Sequence, residues 1–281
     1  MKNIRNLKVY DSTMFHLDDV ISMYNEYIEK INNMSDLQRK TFLRIIEDNE
    51  LIDNQTVENE NSFLVTFYSK LEKQHSLNYL KTMFSKKNTS VEEVNHLHSI
   101  MINGSSADEP QNHRYRDGSH PSDDQRWVGY YDSNNKPVVE YVPIPSNMVM
   151  QEMKSLIDYV NDLSDNSIFS NIFIKPMIIH AEMAVMQPFG DGNTRTARLL
   201  QYGDMWKLTN EQSSNHVLKP VLYLSDRYKI YRRDYRTYIK NIAVQKDDDA
   251  WNKWFDFNLN MIDEKLYKSL NDVDQIVRRR G

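Results

Sequence analysis

Seven glycines serve 281 residues, and two of them stand in one short segment, Gln187-Pro188-Phe189-Gly190-Asp191-Gly192-Asn193-Thr194-Arg195-Thr196-Ala197-Arg198. Apolar sequence of helical character precedes it, Met177 to Met186, and Leu199-Leu200 follows it. A glycine-poor chain that sets two glycines beside an Asp and an Asn is making a loop where backbone approaches something closely. The local order is therefore helix, tight turn, helix, and the N–H groups that open the second helix form an anion site. Arg195 and Arg198 are three apart, so they share a helical face and can reach one anion. Asp191 is an acceptor-only side chain suited to Mg²⁺, an ion that arrives with substrate phosphates. Residue chemistry alone thus describes a loop for a metal-bound polyphosphate. The plainer alternative is an ordinary Asp-Gly turn followed by solvated arginines.

The rest of the chain reads as mostly helical. Helical spacing of Val20, Ile21, Met23, Tyr24, Tyr27, Ile28 and Ile31, then of Phe42, Leu43, Ile45 and Ile46, predicts two helices over residues 11–46. Ser62 to Phe84 reads as another, and Lys86 to Ser90 as a polar connector. Ser90 with Glu93 fits a capping box opening a helix to Ile102, ended by Asn103-Gly104. Residues 105–125 lack periodicity and read as a long loop, a kind often functional or mobile. Trp127, Val128, Tyr130 and Tyr131, then Val138, Val139, Tyr141 and Val142, read as two short strands around Ser133–Lys136. Ser146 is expected to cap the next helix, and the aromatic-rich last third is expected to be helical core. No internal repeat is evident.

Composition narrows the function classes. A net charge of −5 argues against wholesale nucleic-acid binding, and Arg278-Arg279-Arg280 reads as a solvated tail. No apolar run nears the roughly 18–20 residues needed to span a bilayer, and no h-region follows Met1-Lys2-Asn3-Ile4-Arg5. The absence of cysteine excludes disulfides and thiolate metal sites and suits a reducing cytoplasm, the expected location.

The segment from Gln187 resembles the signature of the Fic-domain family, His-x-Phe-x-(Asp/Glu)-Gly-Asn-Gly-Arg-x-x-Arg, matching six of its eight fixed positions: Phe189, Asp191, Gly192, Asn193, Arg195 and Arg198. Gln187 stands in place of the His and Thr194 in place of the later Gly. Further stretches are similar: His180 to Met186 as the helix leading in, and Trp127 to Val142 with its Pro-rich turn as a hairpin flap. Val91 to Gly104 resembles the first core helix, and Pro220 through Trp254 the closing helices. The resemblance implies a mainly α fold, a Fic-like helical bundle with one small β-hairpin flap. It divides the chain into an N-terminal helical region, 1–89, and a core with C-terminal helices, 90–281.

What the family does implies transfer of AMP from ATP, with Mg²⁺, to a Tyr, Ser or Thr hydroxyl of a protein. On that basis Asp191 holds Mg²⁺. Gly192, Asn193 and Thr194 form the anion hole, Gly190 joins them in binding the nucleotide, Arg195 and Arg198 take the outer phosphates, and Phe189 anchors the loop. Asn193 and Arg195 join Gln187 as the catalytic set, and Trp127, Val128, Val139 and Tyr141 carry the flap that binds an extended target by edge pairing. A homo-oligomer is allowed; no membrane partner is expected. Gln187 stands where the general base belongs, and an amide cannot hold a proton at neutral pH. His180, two turns earlier and about 10 Å along the axis, reads as structural, and Glu182 falls on another face. Asn49-Glu50-Leu51-Ile52-Asp53-Asn54, in a helix near 46–60, resembles the family's inhibitory motif with Asp53 in place of Glu. Three functions stay open: a weakened or altered AMP-transferase, a nucleotide-binding protein that regulates or interacts without transfer, and a related phosphate-group reaction that needs no strong base.

Overall fold

A helix that is apolar all round belongs inside the molecule. α6 (Ile174–Met186) is such a helix, with eleven of its thirteen side chains buried, and the other elements are laid around it. The computed structural model describes residues 6–56, 69–103, 108–163, 167–211 and 222–278. Among them are ten α-helices and one two-stranded antiparallel sheet. Against α6 pack α5 (Ser146–Asn161), α7 (Asn193–Glu211), α9 (Arg232–Gln245) and α10 (Asp248–Arg278). α1 (Asp11–Asn32) lies along α10, and its buried side chains Leu17, Val20, Tyr24, Tyr27 and Ile31 keep the predicted helical spacing. α3 (Ser69–Phe84) bridges α4 (Val91–Ile102) and α7, and α2 (Asp36–Thr56) packs on α8 (Ser225–Ile230). Elements from both sides of residue 90 feed one hydrophobic cluster. No helix among the described residues is long and apolar enough to cross a membrane.

Polar side chains inside this core are tied to particular partners, as burial requires. Lys175 is fully buried and donates from Nζ to the carbonyls of Val160 (3.2 Å) and Asp162 (2.8 Å), closing the C-terminal end of α5. His180 donates from Nδ1 to Gln201 Oε1 (2.7 Å) and accepts at Nε2 from the Tyr235 hydroxyl (2.9 Å). The Trp254 ring stands edge-on to it, while Trp254 Nε1 donates to the Met177 carbonyl. His180 is thus built into the α6, α7 and α9 packing. Of the aromatics in the last third, Tyr223, Tyr228, Tyr235, Trp251, Trp254, Phe255 and Phe257 are buried.

The local signals mostly translate as expected. Ser90 and Glu93 form the capping box of α4, which ends at Ile102; Gly104 lies outside the described residues. Residues 62–68, expected to be helical, also lie outside them, and α3 is described from Ser69. Ser146 departs from its expected role. It is the first residue inside α5, and its own N–H is capped from outside by Asp124 Oδ1 at 2.8 Å. A carboxylate from a distant loop has taken the place of a local hydroxyl.

β1 (Val128–Tyr131) and β2 (Pro137–Tyr141) form the hairpin. Asp132 and a left-handed Asn135 (φ 57°) make its turn. The register slips at Val128/Gly129, and there a Cβ on Gly129 would fall 2.0 Å from the Val138 carbonyl oxygen. Only glycine fits that bulge.

Gly203 on α7 lies directly against Phe84 of α3. A Cβ there would meet the Phe84 ring at 2.2–2.3 Å. In an exposed helix Gly→Ala stabilises by roughly 1 kcal/mol; here the clash reverses the sign. Gly203→Ala is expected to lower stability by about 1–3 kcal/mol, read as a shift in the urea midpoint. An unchanged or raised midpoint would show that α3 and α7 are not in close contact.

Candidate functional site

The segment from Gln187 to Asn193 joins α6 to α7, and four features set its shape. Gln187 ends α6 in the left-handed region (φ 50°, ψ 59°). Asn193, the first residue of α7, reaches back: its Oδ1 accepts from the Phe189 N–H (2.8 Å), and its Nδ2 donates to the Phe189 carbonyl (3.0 Å) and to Gln187 Oε1 (3.0 Å). Phe189 is fully buried, stacked between His98 at 3.6 Å and Tyr115 at 4.6 Å between ring centroids. Arg116 donates from Nε to the Gln187 carbonyl (2.7 Å) and from Nη2 to the Met186 carbonyl (3.3 Å), a cation placed on the C-terminal end of α6. Its remaining bonds reach the carbonyls of Asp123 (2.7 Å) and Ile144 (3.0 Å).

The two glycines are needed, for a reason other than ligand approach. A Cβ on Gly190 would lie 2.0 Å from Asn112 Oδ1. Gly192 has φ +73°, and a Cβ there would lie 2.7 Å from Ile102 and 3.0 Å from His98. What approaches this backbone closely is α4 and the loop at Asn112. Residues 105–107 of that segment, expected to be a functional or mobile loop, lie outside the described residues; its part from Arg114 to His120 is tied down by Asp123. The Asp123 carboxylate accepts from Arg114 (3.1 Å) and from the N–H groups of Asp117, Gly118 and His120 (3.2, 3.0 and 3.4 Å).

Beside the loop lies a cavity of about 220 Å³, roofed by the hairpin and walled by α9. Asp191, Asn193 and Thr194 line it from the start of α7, with Gln187 beside them. Trp127, Val128 and Tyr141 line it from the hairpin, whereas Val139 faces outward and is exposed. Gly190, Gly192, Arg195 and Arg198 are not among the lining residues, and both arginines are buried. Asp191 is half-exposed and accepts from the Gly192 N–H, with Arg195 Nη2 at 3.9 Å. The cations that do line the cavity are Arg126, Arg232 and Arg236, joined by Glu140. None of these four was singled out from sequence. The i,i+4 spacing of Arg232 and Arg236 after Tyr231 was the available signal.

Gln187 is held tightly. Its Oε1 accepts from Asn193 (3.0 Å) and from Arg126 Nη2 (3.3 Å), and its Nε2 donates to the Ala184 carbonyl (2.7 Å). The Tyr141 hydroxyl, raised well above its ordinary range by burial, lies against the same amide. Asp53, the carboxylate of the sequence near 46–60, sits in α2 at 3.8 Å from Lys229. Burial raises its pKa, with Lys229 opposing. Residues 57–60 of that expected helix lie outside the described residues. Glu182 is raised too, first by burial. No cluster of three metal-ligating side chains occurs among the described residues. A cation at Asp191 would therefore lean on ligands from a substrate.

A helical bundle with a hairpin over a helix-opening loop defines the class of this domain. Residues 88–202 match the Fic/DOC family, so this segment is a Fic/DOC domain. Over 63 residues, 22% of this chain, the sequence is 36% identical to the protein adenylyltransferase fic-1 of Caenorhabditis elegans; the match spans 12% of that protein's length. Among solved structures, Fic-1 of Caenorhabditis elegans superposes with a TM-score of 0.63 at 16% identity, covering 94% of this chain and 73% of that one. A Fic family protein from Desulfovibrio desulfuricans gives 0.61 at 18%, covering 94% and 76%. A Fic domain containing signaling protein from Bacteroides thetaiotaomicron gives 0.62 at 12%, covering 92% and 97%. These likenesses establish the fold.

Site and stability share a titrating group. His98 donates from Nε2 to the Asn112 carbonyl (2.9 Å) and accepts at Nδ1 from the Thr196 hydroxyl (2.8 Å). Burial, aided by the charges of Arg195 and His113 and opposed by the Asn112 bond, pushes its pKa down to about 3. In the unfolded chain it returns to about 6.5. Its contribution to stability is full above that value and drains as pH falls towards 3, by up to about 1.4 kcal/mol per unit. Burial alone would raise Asp123, but Arg114 and the backbone N–H groups outweigh it and hold it low, so its contribution is lost in acid as well. Urea unfolding between pH 7 and 4 is expected to show this fall, and His98→Gln is expected to flatten it. Parallel slopes for the two proteins would contradict a neutral His98.

Proposed function

We propose that the chain binds ATP with Mg²⁺ at the 187–198 loop and transfers AMP to a protein, serving hydroxyl acceptors slowly. The observation that carries this reading is the placement of Asp191, Asn193 and Thr194, at the opening of α7, on the floor of a cavity beneath the hairpin. It gains support from the Fic/DOC match and from the stretch shared with an adenylyltransferase. A helix N-terminus favours phosphate through its N–H groups and dipole. Asp191 offers one half-exposed carboxylate, which suits a cation carried in by phosphates. The ion would neutralise phosphate charge. Asn193 and Thr194 orient the phosphates; the outer ones are assigned to Arg195 and Arg198 on the family resemblance alone, both being buried off the lining. Trp127 and Tyr141 keep water from the inner end.

Gln187 accounts for the slowness. On the resemblance it stands at the general-base position, and no lone pair on an amide holds a proton at neutral pH. Loss of a general base costs about 10²–10⁴ in rate. The stretch shared with an adenylyltransferase favours this reading over binding without transfer.

Calorimetry is expected to detect ATP–Mg²⁺ binding, weakened about tenfold by Asp191→Asn, which removes one charge contact. Heat unchanged by that substitution, or no heat at all, would refute the site. Gln187→His is expected to raise AMP transfer to a hydroxyl peptide by at least about 10², followed with α-labelled ATP. Label incorporation unaltered by His would remove the role given to position 187.

A further inference from the structure

Three guanidinium groups line the cavity away from the motif arginines. Arg126 precedes the hairpin, and Arg232 and Arg236 stand one turn apart on α9. Arg126 is half-buried, Arg236 is exposed, and Arg126 Nη2 lies on the oxygen of Gln187. Both lone pairs of that oxygen are engaged, by Asn193 and by Arg126, and the amide nitrogen is engaged by the Ala184 carbonyl. An incoming hydroxyl therefore finds no acceptor for its proton on Gln187 and a positive charge beside it. An oxyanion finds the reverse: no proton to remove, and guanidinium forks suited to bidentate recognition. Among the described residues the carboxylates on the lining are Glu140 and Asp191, and Asp191 is turned to the Gly192 N–H.

We propose that the acceptor at this site is a phosphomonoester on a protein segment, held by Arg126, Arg232 and Arg236 next to Gln187. A phosphorylated side chain is mostly dianionic at neutral pH, its second pKa being about 6. The inference rests on the ATP reading for its chemical step. In that step an oxygen of the acceptor phosphate forms a bond to the α-phosphorus of ATP. The bond from that phosphorus to the bridging oxygen breaks, and its electron pair leaves on pyrophosphate. No proton moves, because the dianion carries none. The product is a mixed phosphoanhydride joining the segment to AMP. The missing base thus becomes a selector: hydroxyl acceptors bear its full cost, and an acceptor that is already ionised bears none of it.

Recognition can be tested without nucleotide. A phosphoserine peptide, its serine twin and its glutamate counterpart are titrated into the nucleotide-free protein by calorimetry. The phosphoserine peptide is expected to bind at least about tenfold tighter than the serine twin, and Arg236→Ala and Arg126→Gln are each expected to remove most of that margin. Equal affinity for phosphoserine and serine peptides, or a margin indifferent to both substitutions, would overturn the proposal. A glutamate peptide binding as well as the phosphopeptide would overturn the phosphate assignment in favour of a carboxylate. With α-labelled ATP, label is expected on the phosphopeptide before the serine twin; label on the serine twin alone would refute the acceptor class. Absence of ATP–Mg²⁺ heat alongside intact phosphopeptide binding would defeat the nucleotide reading and the transfer step, leaving a phosphopeptide site.

Discussion

A helix buried on every side still has to end, and its last carbonyls need donors where water does not reach. α6 ends at Gln187, and the donor that meets it is Arg116, whose guanidinium bonds the carbonyls of Met186 and Gln187. The same group holds the carbonyls of Asp123 and Ile144. The loop before the hairpin, the segment after it and the end of the central helix are therefore fixed by one cation. Burial lowers the pKa of Arg116 and the nearby Arg126 adds to that effect, yet the four carbonyls make the charged form the one the structure satisfies. Breaking such an arrangement by removing the cation would strand several buried acceptors at once, at roughly 1–3 kcal/mol each.

From that end the α6–α7 loop takes its form in two layers. Behind it, Phe189 fills a slot between His98 and Tyr115, and the two glycines let α4 and Asn112 come close. In front, Asn193 folds back over Gln187, and only the first residues of α7 face the cavity. Tight packing behind is what allows a loop to be rigid in front. Glycine here serves the protein's own packing, which explains why residues that look like ligand contacts in sequence lie away from the lining.

The hairpin and α9 complete the cavity with chemistry that the motif does not contain. Arg126, Arg232 and Arg236 outnumber Glu140 and Asp191 on the lining, which leaves the wall with a positive excess in a chain whose net charge is −5. An excess of one sign in a concave site raises the local concentration of the opposite sign. The wall is thus matched to an anion, while Gln187, fixed by its neighbours, presents no proton acceptor.

Local sequence was enough to specify the helices, the hairpin and the turn between α6 and α7. Those depend on spacing within a dozen residues: apolar periodicity in α1, the Ser90–Glu93 box in α4, and Gly and Asn at the loop. It also marked Asp191, Asn193 and Thr194, because adjacent residues at a helix start share one location. Tertiary structure alone decided which arginines meet the cavity, that Asp124 and not Ser146 caps α5, and that Asp53 lies by Lys229. Those pairings join residues from 22 positions apart, Asp124 to Ser146, to 176 apart, Asp53 to Lys229. No local periodicity encodes them; they exist only once the buried helix has gathered the chain around itself.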